Sequence, residues 1–496
     1  MNVAILLAQI LFPIAAGMLV AERQFFRKHV RRLIFTGVSL AVSVVLMILS
    51  LFTEKTTITL FRLTGNISVV LSNDGLSRIF CMIVTIVWMA AGFYSFTYLK
   101  KTGRTNLFYA SFLISEGVLQ AIAMSGNLVT FYMFFEWMTL MTFPLVLQTR
   151  TKEAVRAARK YFFYSIAGAS MCLLGIFLLA GNTDGLSFGG GLTSDANMTE
   201  VLIASLCLMF GFGTKAGMFP MHAWLPVAHP AAPAPASAVL SGVITKVGVL
   251  GIIRTFYYVI GVKNLEGTYV QYVFLCVSLL TVFMGSMLAY KEKVLKKRLA
   301  YSTVSQVSYI LFGVALMTPL GLAAGIFHMI AHSLIKTALF LFAGSVIHET
   351  GKDRVEGLKG IGKLMPVTLW CFTVASLGLI GIPPTIGFAS KWYLATEAMN
   401  TGIGAFRFVG PAILLVSALL TAGYLLPITA DGFYPGKDFE FVLDEKHEKE
   451  FKKEAGGFML VPILVFAVAI VVLGVLATPL HSFLTDALSD VFGTFC

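Results

Sequence analysis

Apolar runs of roughly 20 residues recur along the whole chain, and most of its charge is confined to the short connectors between them. A helix needs about that length to cross a hydrocarbon core of about 30 Å. In lipid every backbone polar group must be satisfied by the protein itself, which leaves only helices and closed barrels. A barrel would show short alternating segments, and none is found. The chain therefore reads as an all-α polytopic membrane protein. Only 12% of its 496 residues are charged, against about 25% in soluble domains.

Fourteen spans are predicted, over approximately 2–21, 30–52, 76–99, 107–124, 127–148, 160–181, 200–220, 236–260, 269–290, 300–317, 320–347, 365–398, 409–431 and 456–480. Alternate connectors at 22–32, 100–104, 150–160, 291–298, 352–363 and 437–453 hold 27 of the 37 lysines and arginines. The opposite side holds Lys55, Arg62, Arg78, Lys263 and Arg407. That bias places the rich connectors in the cytoplasm and both termini outside, in a prokaryotic inner membrane. It also explains the net charge of +12 without nucleic acid. No cleavable signal is visible, because no charged region precedes the first apolar run.

Two spans look broken. Residues 220–235 hold five of the sixteen prolines, with Pro220, Pro226, Pro230 and Pro233 as the expected breaks. Each proline removes a backbone donor and disfavours helix at the residue before it. Pro383 and Pro384 interrupt the span at 365–398 in the same way. Irregular backbone at membrane depth survives only where protein or water satisfies it, and a pair of broken helices in corresponding halves marks an inverted-repeat transporter. The breaks are expected in the third helix of each five-helix unit. The resulting division is an N-terminal three-helix segment (1–106), a first repeat (107–260), a second repeat (261–431), and a charged cytoplasmic loop with the last span (432–496).

Five basic residues belong to no connector: Lys215, Lys246, Arg254, Lys336 and Lys391. A charge at the bilayer centre costs at least about 2.5–3.5 kcal/mol, so such residues face an interior and mark ion paths. Glu136 lies in FYMFFEWMTL; Lys215 and Lys391 adjoin the two breaks, and Lys246 follows the first. His328, His332 and Lys336 are spaced four apart, which stacks them on one helix face. If Glu136 can approach or leave Lys215, the lysine alternates between holding and releasing a proton. Histidines can hand protons onward between such lysines. Any one of these residues alone would as readily be structural. Arg254 reads as a snorkelling side chain near a helix end, Glu116 and Lys160 as close to helix ends, and Glu397 and Asp431 as solvated.

The chain shows no CxxC pair, Walker loop, GxGxxG turn, HExxH or serine triad motif, so no cofactor or metal site is expected within it. Any part in electron transfer would be as the driven partner of another subunit.

The segments DGLS (74–77), FEWMTLMTFPL (135–145), KAGMFPMHAWLPVAHPAAPAPASAVLSGVITKVGVLGIIR (215–254), HMIAHSLIKTALFLFAGSVI (328–347) and GLIGIPPTIGFASKWYL (378–394) resemble the proton-conducting antiporter-like subunits. Respiratory complex I, Mrp-type sodium/proton antiporters and membrane-bound energy-converting hydrogenases share that family. The resemblance covers nearly the whole chain and implies fourteen core helices with two inverted five-helix repeats. It places the family's essential glutamate on Glu136, its partner lysine on Lys215 and its connecting lysine on Lys246. The central elements fall on His328, His332 and Lys336, and the residue at the second break on Lys391. The implied partners are other membrane subunits and, in a redox complex, hydrophilic Fe–S or Ni–Fe subunits; the implied ions are protons and, in an antiporter, Na+. Lysine at 391 and the lack of a long lateral helix resemble the D-type member of the Mrp antiporters, or its counterpart in a hydrogenase or related anaerobic complex, more than the distal complex I subunit. The rival readings are a stand-alone proton-coupled solute transporter and a passive membrane anchor.

Overall fold

A computed structural model describes residues 2–22, 29–65, 67–100, 105–436, 439, 441, 443 and 454–492. The helices that matter here are α1 (Asn2–Ala21), α2 (His29–Leu51), α3 (Gly75–Tyr98), α4 (Thr105–Ala123), α5 (Leu128–Val146), α6 (Lys152–Ala180) and α7 (Met198–Ala216). A short α8 (Leu225–Ala231) leads into α9 (Ala234–Ile260), which contains two π-helical stretches. Then come α10 (Tyr269–Lys291), α11 (Leu295–Ala315), α12 (Pro319–Thr350), α13 (Pro366–Ile380), α14 (Ile386–Asn400), α15 (Phe406–Phe433) and α16 (Gly457–Val475).

Among the described residues, twelve of these helices are long and apolar enough to cross a membrane. The two other predicted spans take a different form. Helix α11 carries Lys296, Lys297 and Arg298 in its first turn, and the span at 365–398 is divided into α13 and α14. All fourteen expected spans thus have a helical counterpart. Large apolar side chains such as Leu11, Leu140, Phe163, Phe177, Leu419 and Val468 stand exposed on the outside, as a lipid-facing belt requires.

With the boundaries above, the interrupted helix is the fourth of each five, not the third: α7 with α8 in one unit, α13 with α14 in the other. Corresponding spans are five apart, an odd number, so they cross in opposite directions.

The connector before α3 holds a feature that hydropathy does not signal. It folds into an antiparallel hairpin, β1 (Thr57–Arg62) and β2 (Ser68–Ser72), with Thr57 opposite Ser72. The backbone amide of Val70 donates to Thr130 Oγ1 of α5 at 2.9 Å, which fixes the hairpin over the helix ends. The connectors sort into two sets. Leu295 N donates to Asp353 O at 2.9 Å and Lys293 pairs with Glu356 at 3.0 Å, so two basic connectors meet on one side. Most of the basic connector at 437–453, parts of those at 22–32 and 100–104, and Cys496 lie outside the described residues.

Both breaks are built alike. Helix α7 ends on Gly217 at φ +77°, and α13 on Gly381 at φ +93°, left-handed conformations that favour glycine. Pro220 lies in the first break, and Pro383 and Pro384 in the second. Pro226 and Pro230 fall inside α8 rather than in the break, and Pro233 is the N-cap of α9. Helix α16 covers the second break so closely that a Cβ on Gly474 would lie 2.0 Å from Pro384 O.

Candidate functional site

Lys215 occupies the last turn of α7, where the carbonyl ends of a helix favour a cation. Its side chain is 1% exposed. The ammonium donates to Tyr161 Oη and Ser165 Oγ of α6, both at 2.8 Å, and lies 4.2 Å from the centre of the Tyr161 ring. Tyr161 Oη is also 2.7 Å from Thr142 Oγ1 of α5. Glu136, also on α5, is half-buried; its Oε1 is buried without a hydrogen-bond partner. Glu136 and Lys215 lie within electrostatic reach of each other but form no ion pair.

Helix α9 runs beside this pair. A Cβ on Gly248 would lie 2.3 Å from Phe212 O and 3.1 Å from Lys215 Cβ, so only glycine permits the approach. Lys246, two residues earlier, is fully buried and donates to the carbonyl of Ser241 within a π-helical stretch of the same helix. Such stretches occur frequently at functional sites, because they free backbone groups. Ser241 Oγ is 2.8 Å from Thr303 Oγ1 of α11. The neighbouring Ser302 accepts a hydrogen bond from Lys336 of α12, which also donates to Leu299 O at 3.0 Å.

The ladder on α12 then continues toward the second break. His332 is fully buried and neither ring nitrogen has a partner. Its ring lies 6.2 Å from that of His328, whose Nδ1 is 2.9 Å from Ser390 Oγ of α14. The Tyr309 ring stacks on His328 at 5.3 Å and lies 5.0 Å from the Lys391 ammonium. Lys391 donates to the carbonyls of Leu379 and Ile380, at 2.6 and 3.0 Å, which are the free carbonyl end of α13. Lys246, Lys336, His332, His328 and Lys391 thus form one row between helices α9, α11, α12 and α14, while Lys215 lies on the other side of α9, where α7 packs at Gly248. Among the described residues, none of the four lysines hydrogen-bonds a carboxylate. Their mutual repulsion in a medium of low dielectric limits how many hold a proton at once.

Residues 125–421 match the family described as NADH:quinone oxidoreductase/Mrp antiporter, TM. The chain belongs to this family. It is 34% identical over 412 residues, 81% of each chain, to NADH-quinone oxidoreductase subunit N of Desulforudis audaxviator. It is 27% identical over 418 residues, 84% of this chain and 82% of the relative, to the D-type member of a Na(+)/H(+) antiporter from Alkalihalophilus pseudofirmus. Its fold is that of a chain in the membrane-bound sulfane sulfur reductase, an archaeal respiratory membrane complex. The TM-score there is 0.86 at 24% identity, covering 99% of this chain and 98% of the other.

Three basic residues of this antiporter-family chain are placed otherwise than the sequence indicates. Arg254 is 1% exposed and does not snorkel; it grips Asp74 with Nη1 at 2.5 Å and Nη2 at 2.8 Å. Asp74 meanwhile caps α3 by accepting from Ser77 N at 2.8 Å, so this pair is a structural clamp away from the row. Lys296, assigned by its position to a basic connector, is 6% exposed and donates to Ala232 O at 2.7 Å. His229 of α8 stands in the sequence only as part of a proline-rich break. It is fully buried with both ring nitrogens unpartnered, stacked on Phe340 at 4.7 Å, and within electrostatic reach of Lys246, Lys296 and Lys336. The signal for His229 is present in the sequence: a titratable ring among prolines at membrane depth. Among the described residues no group of His, Cys, Asp or Glu is gathered as a metal site.

Proposed function

We propose that this chain conducts protons along the row from Lys215 to Lys391, as one membrane subunit of a larger complex. The observation that carries the reading is the run of buried polar groups between Lys246 and Lys336: Lys246 donates to the Ser241 carbonyl, Ser241 Oγ meets Thr303 Oγ1, and Lys336 donates to the adjoining Ser302 Oγ, with a broken helix on either side. Hydroxyls both donate and accept, so Ser241, Thr303 and Ser302 can take part in handing a proton from one lysine toward the other. A passive anchor has no need of this row, and a solute transporter would need a larger polar pocket in its place. Glu136 acts in this reading as the carboxylate that draws Lys215 from Tyr161 and Ser165. The basic connectors face the cytoplasm, and both termini lie outside.

The test is proton flux in proteoliposomes holding the purified complex, with Lys215→Ala, Lys336→Ala and Lys391→Ala compared at equal assembly. Loss of flux in all three supports the row; unchanged flux in an assembled Lys336→Ala complex ends it. Likeness to a quinone oxidoreductase component supports hydrophilic Fe–S redox partners, and likeness to a Na(+)/H(+) antiporter component supports small membrane partners and Na+ exchange. The iron and nickel content of the purified complex separates these drives.

A further inference from the structure

Glu116, which the sequence alone places near a helix end, lies in the middle of α4, well inside Thr105–Ala123. Its side chain is fully buried, and neither carboxyl oxygen has a hydrogen-bond partner. The surroundings are tight: a Cβ on the adjacent Gly117 would lie 2.5 Å from Ile10 O of α1. The polar side chain that interacts with the carboxyl is Ser43 of α2, its hydroxyl likewise buried and outside strict hydrogen-bond geometry. One turn along α4, Gln120 accepts from Gln9 Nε2 of α1 at 3.2 Å and donates to Thr85 Oγ1 of α3 at 2.9 Å. The Gln9 carbonyl oxygen is again buried without a partner. Four helices thus bring together a seam of polar groups that shares no residue with the lysine–histidine row.

Among the described residues no cation balances this carboxyl. Helix α1 has no ionisable side chain. The ionisable groups of α2 are His29, Arg31 and Arg32, and Arg32 precedes Ser43 by eleven residues, roughly 16 Å along a helix. On α3, Arg78 is turned to Thr53 O and Asn73, Tyr94 donates to Leu341 O, and Tyr98 and Cys81 are of types that carry no positive charge. Helix α5 offers only Glu136 and Tyr132. An isolated ionised carboxylate in such a place is too costly to persist, and a group so placed neutralises instead. Buried polar groups left unpartnered in a native fold call for an explanation, and an ionisable one inside a membrane is by default a functional site.

We propose that Glu116, with Ser43, Gln120 and Gln9, is a proton-binding site of its own in the N-terminal helices, separate from the row that ends at Lys391. The carboxylate takes a proton from a hydronium ion, leaving water, and returns it by the reverse step. The Ser43 hydroxyl and the unpartnered Gln9 amide oxygen are the neighbouring acceptors to which the bound acid can turn its proton.

The test is infrared spectroscopy of the purified complex in H2O and D2O. The expected result is a carbonyl band of a protonated carboxyl that shifts down in D2O, vanishes in Glu116→Gln and persists in Glu136→Gln. Absence of such a Glu116 band, or a band indifferent to D2O, overturns the proposal. Loss of the band on adding Na+ also overturns it, since the carboxylate then holds a metal cation. If Glu116→Gln fails to assemble, the native complex is treated with dicyclohexylcarbodiimide. The acid proton moves to a carbodiimide nitrogen, the carboxylate oxygen adds to its carbon, and an acyl shift to nitrogen leaves a stable N-acylurea with nothing expelled. Mass spectrometry should find that adduct on Glu116, decreasing as pH rises; an unlabelled Glu116 overturns the proposal.

Discussion

The Lys215 ammonium is held by two hydroxyls, Tyr161 Oη and Ser165 Oγ, while Glu136 on the facing helix keeps a buried carboxylate oxygen without a partner. The lysine is thus parked away from its carboxylate, and the hydroxyls decide how firmly. A hydrogen bond to a charged group contributes about 1.5–3 kcal/mol. We expect Tyr161→Phe to shift Lys215 toward Glu136 and lower proton flux roughly tenfold at unchanged assembly. Flux in proteoliposomes checks this, and the Ser165→Ala, Tyr161→Phe double variant should lose more than either single variant.

Gly381 ties the backbone of the other break to the Lys391 side chain. A Cβ there would stand 3.0 Å from Lys391 Cδ, at a φ of +93° that other residues rarely adopt. Gly381→Ala should cost about 1–2 kcal/mol of stability from the backbone alone. It should also push Lys391 off the carbonyls of Leu379 and Ile380. The measurement is flux per assembled complex, which we expect to fall further than in Gly402→Ala, where nothing lies within 4 Å of the added methyl.

His229 is expected to matter as much as the histidines of α12. Its ring has no hydrogen-bond partner and stacks on Phe340, so His229→Phe preserves packing while removing both nitrogens. We expect normal assembly and a flux reduced at least tenfold. Normal flux in that variant would leave His229 as packing material only.

Asp74 and Arg254 should behave in the opposite manner. Removing one partner of a buried ion pair costs about 3–5 kcal/mol, because the other charge stays buried. Arg254→Ala should therefore lower thermal stability and yield, while the complex that does assemble conducts normally. A thermal melt with flux measured on the surviving fraction distinguishes the two effects.

Spans and breaks are legible in the sequence because hydropathy and proline act locally. Glu136, Lys215, Lys246, Lys336 and Lys391 stand out for the same reason, as charges with apolar neighbours on both sides. What stays hidden depends on partners distant in sequence. Asp74 lies 180 residues before Arg254, so nothing near Arg254 distinguishes a clamp from a snorkelling side chain. Lys296 sits in a basic stretch like any solvated connector, and only the return of Ala232 beside it makes it interior. The hairpin at 57–72 is masked by an expectation of helices everywhere; its strands are short and mostly outside the apolar runs.

Helix α9 touches α7 at Gly248 and α12 at Gly242, where a Cβ would lie 2.6 Å from Thr337 Oγ1. The two glycines are six residues apart, roughly 9 Å of helix. A packed interior has little compressibility, so a tilt of α7 that moves Lys215 is expected to press through α9 on α12. It arrives at Thr337, next to Lys336. Through α9 the first broken helix is joined to α12, the helix that carries His328, His332 and Lys336.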